Sequence, residues 1–212
     1  MEDRLANLKS PLTDQEICDY ILQLAKAVTY LHELKSINPG HEELQLVLHC
    51  DIKPQNVLLQ FKDSKAILKL ADFGMAKLID NVDDSVFDRS NKVVHSNIWT
   101  APEVAKEKKF SISSDLYSFG VVCGQILLRN LRFIDKQDFK EEIMLVKRDV
   151  RSSTKNKLIA EFCLDVIDTE KRPTGGNAKT KLLNFIENLD TMCKMDKNEH
   201  PEQNPQIIEP GK

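Results

Sequence analysis

The sequence predicts an α+β domain, mainly α-helical, with short β-hairpins gathered in one stretch of the chain. Three observations carry this reading. Apolar residues recur at helical spacing between Thr13 and Leu34 and again beyond Ser113. Between these regions the apolar runs are short and flanked by polar loops, as in small strands. The segment from Asp115 to Leu128 is apolar on nearly every face, which marks a helix at the centre of a core.

The elements follow in order. Residues 1–12 form a short leading stretch. Thr13 then caps a long amphipathic helix, and Glu16, three residues on, completes a capping box. Its buried stripe is Ile17, Ile21, Leu24, Val28 and Leu31. Pro39-Gly40 mark a loop between Ser36 and Glu43. The strand candidates are Leu44–Leu48, Asn56–Leu59 and Ala66–Ala71, with a lengthened loop over Phe61 to Lys65. From Leu78 to Val94 the chain is polar, acidic and aperiodic and reads as a long loop, a length that usually signals function or disorder. Beyond the central helix come Gln137–Lys147, Asn156–Ile167 and Ala178–Leu189, the last two with clear apolar stripes. Residues 191–212 carry Pro201, Pro205 and Pro210 among polar residues and read as a disordered tail, leaving 13–190 as the folded lobe.

Composition narrows the classes. A formal net charge of -3 in 212 residues gives no reason to expect nucleic acid or an anionic membrane as partner. The most apolar run, Tyr117 to Leu128, is too short to span a bilayer. Its Gly120 and Gly124, in G-x-x-x-G spacing, therefore point to close packing inside a core. Five scattered cysteines without C-x-x-C pairs suit free thiols, and the charged start at Met1 is unlike a secretory signal. Both fit a cytoplasmic chain.

Three separated segments then agree. They are His49-Cys50-Asp51-Ile52-Lys53-Pro54-Gln55-Asn56, Asp72-Phe73-Gly74 and Ala101-Pro102-Glu103. In this order, with a long polar loop between the last two, they resemble the catalytic loop, metal loop and activation-segment end of the protein kinases. The resemblance covers about Asp14 to Leu189 and implies a protein-kinase-like C-terminal lobe. It implies ATP and Mg2+ as cofactors and a protein substrate. Asp51 would be the catalytic carboxylate and Lys53 the cation beside the transferred phosphate. Lys53, Gln55, Asn56, Leu58 and Asp72 would form the ATP-binding set, with Asn56 and Asp72 as oxygen ligands of magnesium. Structural or regulatory roles fall to His49 behind the loop, Phe73 and Gly74 at the turn, and Ser96 near the substrate. Glu103 and Arg172 would form a buried ion pair, and Asp115 would anchor the catalytic loop.

The branch follows from finer features. Lys53-Pro54-Gln55-Asn56 is similar to the serine/threonine form, whereas Trp99-Thr100-Ala101-Pro102-Glu103 resembles the tyrosine-kinase version. The mixture suggests the tyrosine-kinase-like, receptor-like branch. Cys50 stands where most kinases carry Arg, and a thiol cannot grip a phosphate as a guanidinium does. Phosphorylation of Ser85 or Ser90 is therefore not expected to be the main switch. No Gly-rich phosphate-covering loop or Val-Ala-x-Lys strand precedes Thr13, and the opening residues resemble the hinge and the short helix after it. Two readings stand side by side: a serine/threonine kinase lobe, weak or inactive without an N-terminal lobe, and a non-catalytic kinase-like scaffold that binds an N-lobe or a kinase-type partner. Small-molecule phosphotransfer fits less well, because Ser96 to Glu103 looks built for a peptide.

Overall fold

A computed structural model describes residues 3–4, 12–34, 46–63, 65–88, 98–129, 157–168 and 170–199. In chain order the elements are β1 (Asp3–Arg4), α1 (Asp14–Leu31), β2 (Leu46–Leu48), a 3-10 turn (Pro54–Asn56), β3 (Val57–Lys62), β4 (Lys65–Leu70), β5 (Lys77–Ile79) and β6 (Val86–Phe87). Then come α2 (Pro102–Glu107), β7 (Lys109–Phe110), α3 (Ile112–Leu127), α4 (Lys157–Ile167) and α5 (Gly175–Glu199).

Helix α3 is the axis of the molecule, and all of its residues are buried. Ser111 starts it: the Ser114 backbone N–H donates to Ser111 Oγ, and the Ser111 N–H donates to Ser114 Oγ at 2.9 Å. Against α3 packs an aromatic cluster in which Phe162 of α4 stacks on Phe185 of α5 with centroids 3.9 Å apart. Phe119 of α3 meets both rings edge-on. On the other side, α1 turns Ile17, Ile21, Leu24 and Val28 inward, all fully buried. Its first turn is fixed by the reciprocal cap: Thr13 N–H donates to Glu16 Oε2 at 2.8 Å and Glu16 N–H to Thr13 Oγ1 at 3.2 Å.

Among the described residues the strands form three small sheets, all antiparallel. In the largest, β3 lies between β1 and β4. Among the described residues strand β4 is an edge, and Gln23 of α1 caps its backbone. Gln23 donates to the Ala66 carbonyl at 3.2 Å and accepts from the Leu68 N–H at 3.0 Å, so backbone groups of an open edge find partners. Strands β2 and β5 pair from Leu46↔Ile79 to Leu48↔Lys77. Strands β6 and β7 pair through Val86↔Phe110 and Phe87↔Lys109.

Several sequence expectations need correction. The stretch read as a loop from Leu78 holds the end of β5 and all of β6, since partners distant in sequence supply the pairing that local pattern lacks. Phe61 to Lys65 is no lengthened loop: the paired strands run to Lys62↔Lys65, with Asp63 between them at φ 49°. The folded chain does not stop at residue 190. Helix α5 continues to Glu199, with Cys193 buried and Lys194 paired to Asp190 one turn back. Within residues 1–12, Asp3–Arg4 forms a strand on Leu58 and Leu59; the expected short helix lies outside the described residues. So do the loop between Ser36 and Glu43, the Gln137–Lys147 helix, Ser90 and Ser96. Helix α2 was not foreseen; six residues are too few for periodicity to register.

Candidate active site

The site is built outward from Asp115 in the first turn of α3. Its carboxylate is buried and accepts three hydrogen bonds. The His49 N–H donates to Oδ2 at 2.8 Å, the Cys50 N–H to Oδ1 at 2.9 Å, and His32 Nε2 lies 3.0 Å from Oδ2. These bonds hold Cys50 at φ 65°, a left-handed conformation that costs a residue with a β-carbon about 1 kcal/mol. Charge-assisted bonds to two successive N–H groups offset that cost and aim the following residue outward.

That residue is Asp51. Its Oδ2 receives Lys53 Nζ at 2.7 Å and Asn56 Nδ2 at 2.8 Å. Asn56 Nδ2 also donates to the Asp51 backbone carbonyl at 2.8 Å, which closes the loop on itself. The 3-10 turn makes this possible, because Pro54 begins it and the Asn56 N–H returns to the Lys53 carbonyl at 2.9 Å. Asp51 and Lys53 remain about one-quarter exposed, so the pair is open to a ligand.

The second arm reaches the site through Ala71. Its N–H donates to the Asn56 carbonyl at 2.8 Å, and its carbonyl faces His49 Nε2 at 3.1 Å. Asp72 follows at φ 66°, exposed, with the Gly74 N–H on its Oδ1 at 3.3 Å. Phe73 is half-exposed and packs against His49 with centroids 5.0 Å apart. His49 is thus wedged between the two arms. Its Nδ1 accepts from the Asp51 N–H at 3.3 Å, which leaves Nε2 to carry the proton toward Ala71. Burial pushes its pKa below the ordinary histidine value, outweighing the opposing pull of Asp115, the Ala71 carbonyl, Asp51 and Asp72. Burial raises the Cys50 thiol well above its usual range, and Asp115 adds to this while Lys77 opposes it.

The donor chemistry fits a hard cation. Asn56 spends its amide hydrogens on Asp51, and its side-chain oxygen accepts no hydrogen bond among the described residues. Asp72 likewise keeps a carboxylate oxygen free of partners there. No group of three or more His, Cys, Asp or Glu side chains placed to hold a metal ion occurs among the described residues. The oxygens at hand, one amide and one carboxylate, match magnesium, which takes one or two protein oxygens and fills its shell with water and phosphate. Gln55 Oε1 is buried without a hydrogen-bond partner, also among the described residues. Leu58 is half-buried on β3 opposite Arg4.

Farther out, Arg172 Nη2 donates to Glu103 Oε2 at 2.6 Å, with the guanidinium over the Tyr117 ring at 5.2 Å. Trp99 is fixed by Gln125, its Nε1 donating at 2.8 Å, and by Ser118 Oγ, which donates to its carbonyl at 2.6 Å. Among the described residues a cavity of about 170 Å³ lies between Asp51, Lys53, Met75, Trp99 and Thr100. Sequence reasoning missed His32, Gln125 and Lys77. The signal for His32 was a polar side chain four residues after Val28, in line with the buried stripe of α1 and at its C-terminal cap; it is fully buried here.

Comparison with known proteins matches residues 1–202 to the protein kinase domain model. Serine/threonine-protein kinase dkf-2 of Caenorhabditis briggsae is 32% identical over 143 residues, covering 68% of this chain and 11% of that protein. Integrin-linked protein kinase 1 of Arabidopsis thaliana is 34% identical over 120 residues, 56% of this chain and 23% of its own length. Cysteine-rich receptor-like protein kinase 7 of the same plant is 30% identical over 144 residues, 67% of this chain and 20% of its own. The chain thus spans under a quarter of the length of these relatives. With the family model matching nearly the whole sequence, the chain belongs to the protein kinase domain family.

Proposed function

We propose that this chain is the C-terminal lobe of a protein serine/threonine kinase, transferring the terminal phosphoryl group of ATP to a protein hydroxyl. The observation that carries the proposal is the meeting of Lys53 Nζ and Asn56 Nδ2 on one oxygen of Asp51. In phosphoryl transfer the protein mainly positions groups and stabilises charge. Asp51 orients the substrate hydroxyl and takes its proton. Lys53 holds the Asp51 carboxylate in place and sets a cation beside the phosphate. Asn56 and Asp72 would hold Mg2+, which supplies neutralisation of phosphate charge when bound. Gln55 and Leu58 complete the ATP wall, and Ser96 the contact with the peptide. The serine/threonine assignment and the receptor-like branch rest on Lys53-Pro54-Gln55-Asn56 and on relatives such as the receptor-like kinase above.

The 212 residues contain no Gly-rich phosphate-covering loop. One wall of an ATP cleft positions poorly, so activity of this chain alone is weak and depends on an N-terminal lobe from outside this sequence or from a kinase-type partner. The test has two parts. Mg2+-ATP is expected to raise the melting temperature of the chain, and Asp72→Ala to abolish that rise. Radiolabel transfer to a generic protein substrate, with an N-terminal lobe supplied, is expected to fall about a hundredfold or more in Asp51→Ala. Transfer that survives Asp51→Ala overturns the catalytic assignment. Absence of both binding and transfer leaves the scaffold reading.

A further inference from the structure

We propose that Asp88 is a positioning residue: its carboxylate, held by Lys77, fastens the segment after the Asp72-Phe73-Gly74 turn in place without any phosphate. The proposal rests on the kinase reading of that segment and names how it is kept ordered.

The contacts are specific. Lys77 Nζ lies 3.1 Å from Asp88 Oδ2, with the two side chains only 18% and 13% exposed. The same ammonium sits 4.9 Å from the centroid of Phe110, a fully buried ring. The Asp88 N–H donates to the Lys108 carbonyl at 3.1 Å, continuing the β6–β7 pairing by one residue. So Lys77, five residues beyond Asp72, is joined by charge to Asp88, eleven residues on, and Asp88 is joined by backbone to Lys108 beside β7.

The location matters as much as the strength. Lys77 pairs with Leu48 in β5–β2, one residue before His49. It also neighbours Cys50, whose thiol feels both its charge and its backbone N–H. A thiol there brings no cation to meet an anion, and Lys77 meets Asp88 instead. A mostly buried ion pair next to an aromatic face is screened far less than a surface pair. Asp88 is carried by the chain itself, so the contact needs no modifying enzyme.

Hydrogen exchange on the full 212-residue chain tests this without ATP or catalysis, so its outcome is independent of whether the chain transfers phosphate. In Asp88→Asn, amides of residues 84–88 are expected to exchange about fivefold faster, the loss expected from opening one partly buried pair. Amides of α3 serve as the internal control and should not change. Lys77→Asp should accelerate the same amides, and the charge-swapped double variant Lys77→Asp/Asp88→Lys should return them toward wild type. Phosphatase treatment of the wild-type protein should change nothing. Unchanged exchange in Asp88→Asn, failure of the charge swap to restore protection, or faster exchange after phosphatase treatment would each overturn the proposal.

Discussion

His49 shows how one residue couples two arms of a site through its protonation state. Its ring must accept at Nδ1 from Asp51 N–H and stands at Nε2 beside the Ala71 carbonyl. Only the neutral imidazole does both. Protonation would put a donor against the Asp51 N–H and a charge in a buried place. Its pKa is lowered by burial, so the sign is fixed: the stability it contributes is present above the unfolded value of about 6.5 and is lost as pH falls below it. The melting temperature should therefore drop between pH 7.5 and 5.5, and in His49→Gln that drop should shrink. An equal drop in the variant would mean that other groups carry the acid sensitivity. Lys53 and Asn56 fix Asp51 from within the loop, whereas Asp115 fixes two of its amides from 66 and 65 residues away.

At the scale of elements, α3 and α4 meet at a glycine. A β-carbon at Gly120 would overlap Val166 Cγ2, so the two helices approach here as closely as a hydrogen allows. Replacing Gly120 by Ala gains about 1 kcal/mol of helix propensity but overpacks a close-packed core, which typically costs 1–3 kcal/mol. Overpacking should win, because Val166 is fully buried and has no free direction to yield. Gly120→Ala should lower the urea midpoint by the equivalent of about 1 kcal/mol, and adding Val166→Ala should recover part of it. No recovery would place the strain elsewhere. The sequence announced this contact only in outline. Gly120 in a run too short for a membrane signalled close packing, but its partner 46 residues away left no local trace. Elements with a long period were readable, as α1, α3 and α4 show. Elements defined by a distant partner were not: β6 exists because β7 does, and the last turns of α5 exist because Cys193 finds a core.

Across the whole molecule, the ion pair of Arg172 with Glu103 joins regions 69 residues apart in sequence. Helix α2 has six residues, too few to be stable by itself, and Pro102 at its first turn only starts it. Its place is set from outside, by Arg172 in the link between α4 and α5. The guanidinium is 7% exposed and also lies on Tyr117 of α3, so one side chain ties α2, the central helix and the C-terminal helices together. Glu103 is 24% exposed, and water can reach it if its partner is lost. The cost of Arg172→Met should therefore sit near the low end for a broken buried pair, about 3 kcal/mol, with lost stacking on Tyr117 included. A double-mutant cycle with Glu103→Gln separates the two parts. The coupling energy should be about 1–2 kcal/mol and the remainder should persist in Arg172→Met when Glu103 is already neutral. A coupling near zero, measured by urea unfolding, would mean that α2 is held by packing of Val104 and Trp99 and that the ion pair is incidental. A coupling of the expected size makes the position of Ala101-Pro102-Glu103, and with it the wall of the cavity beside Asp51, a property of the complete helical assembly.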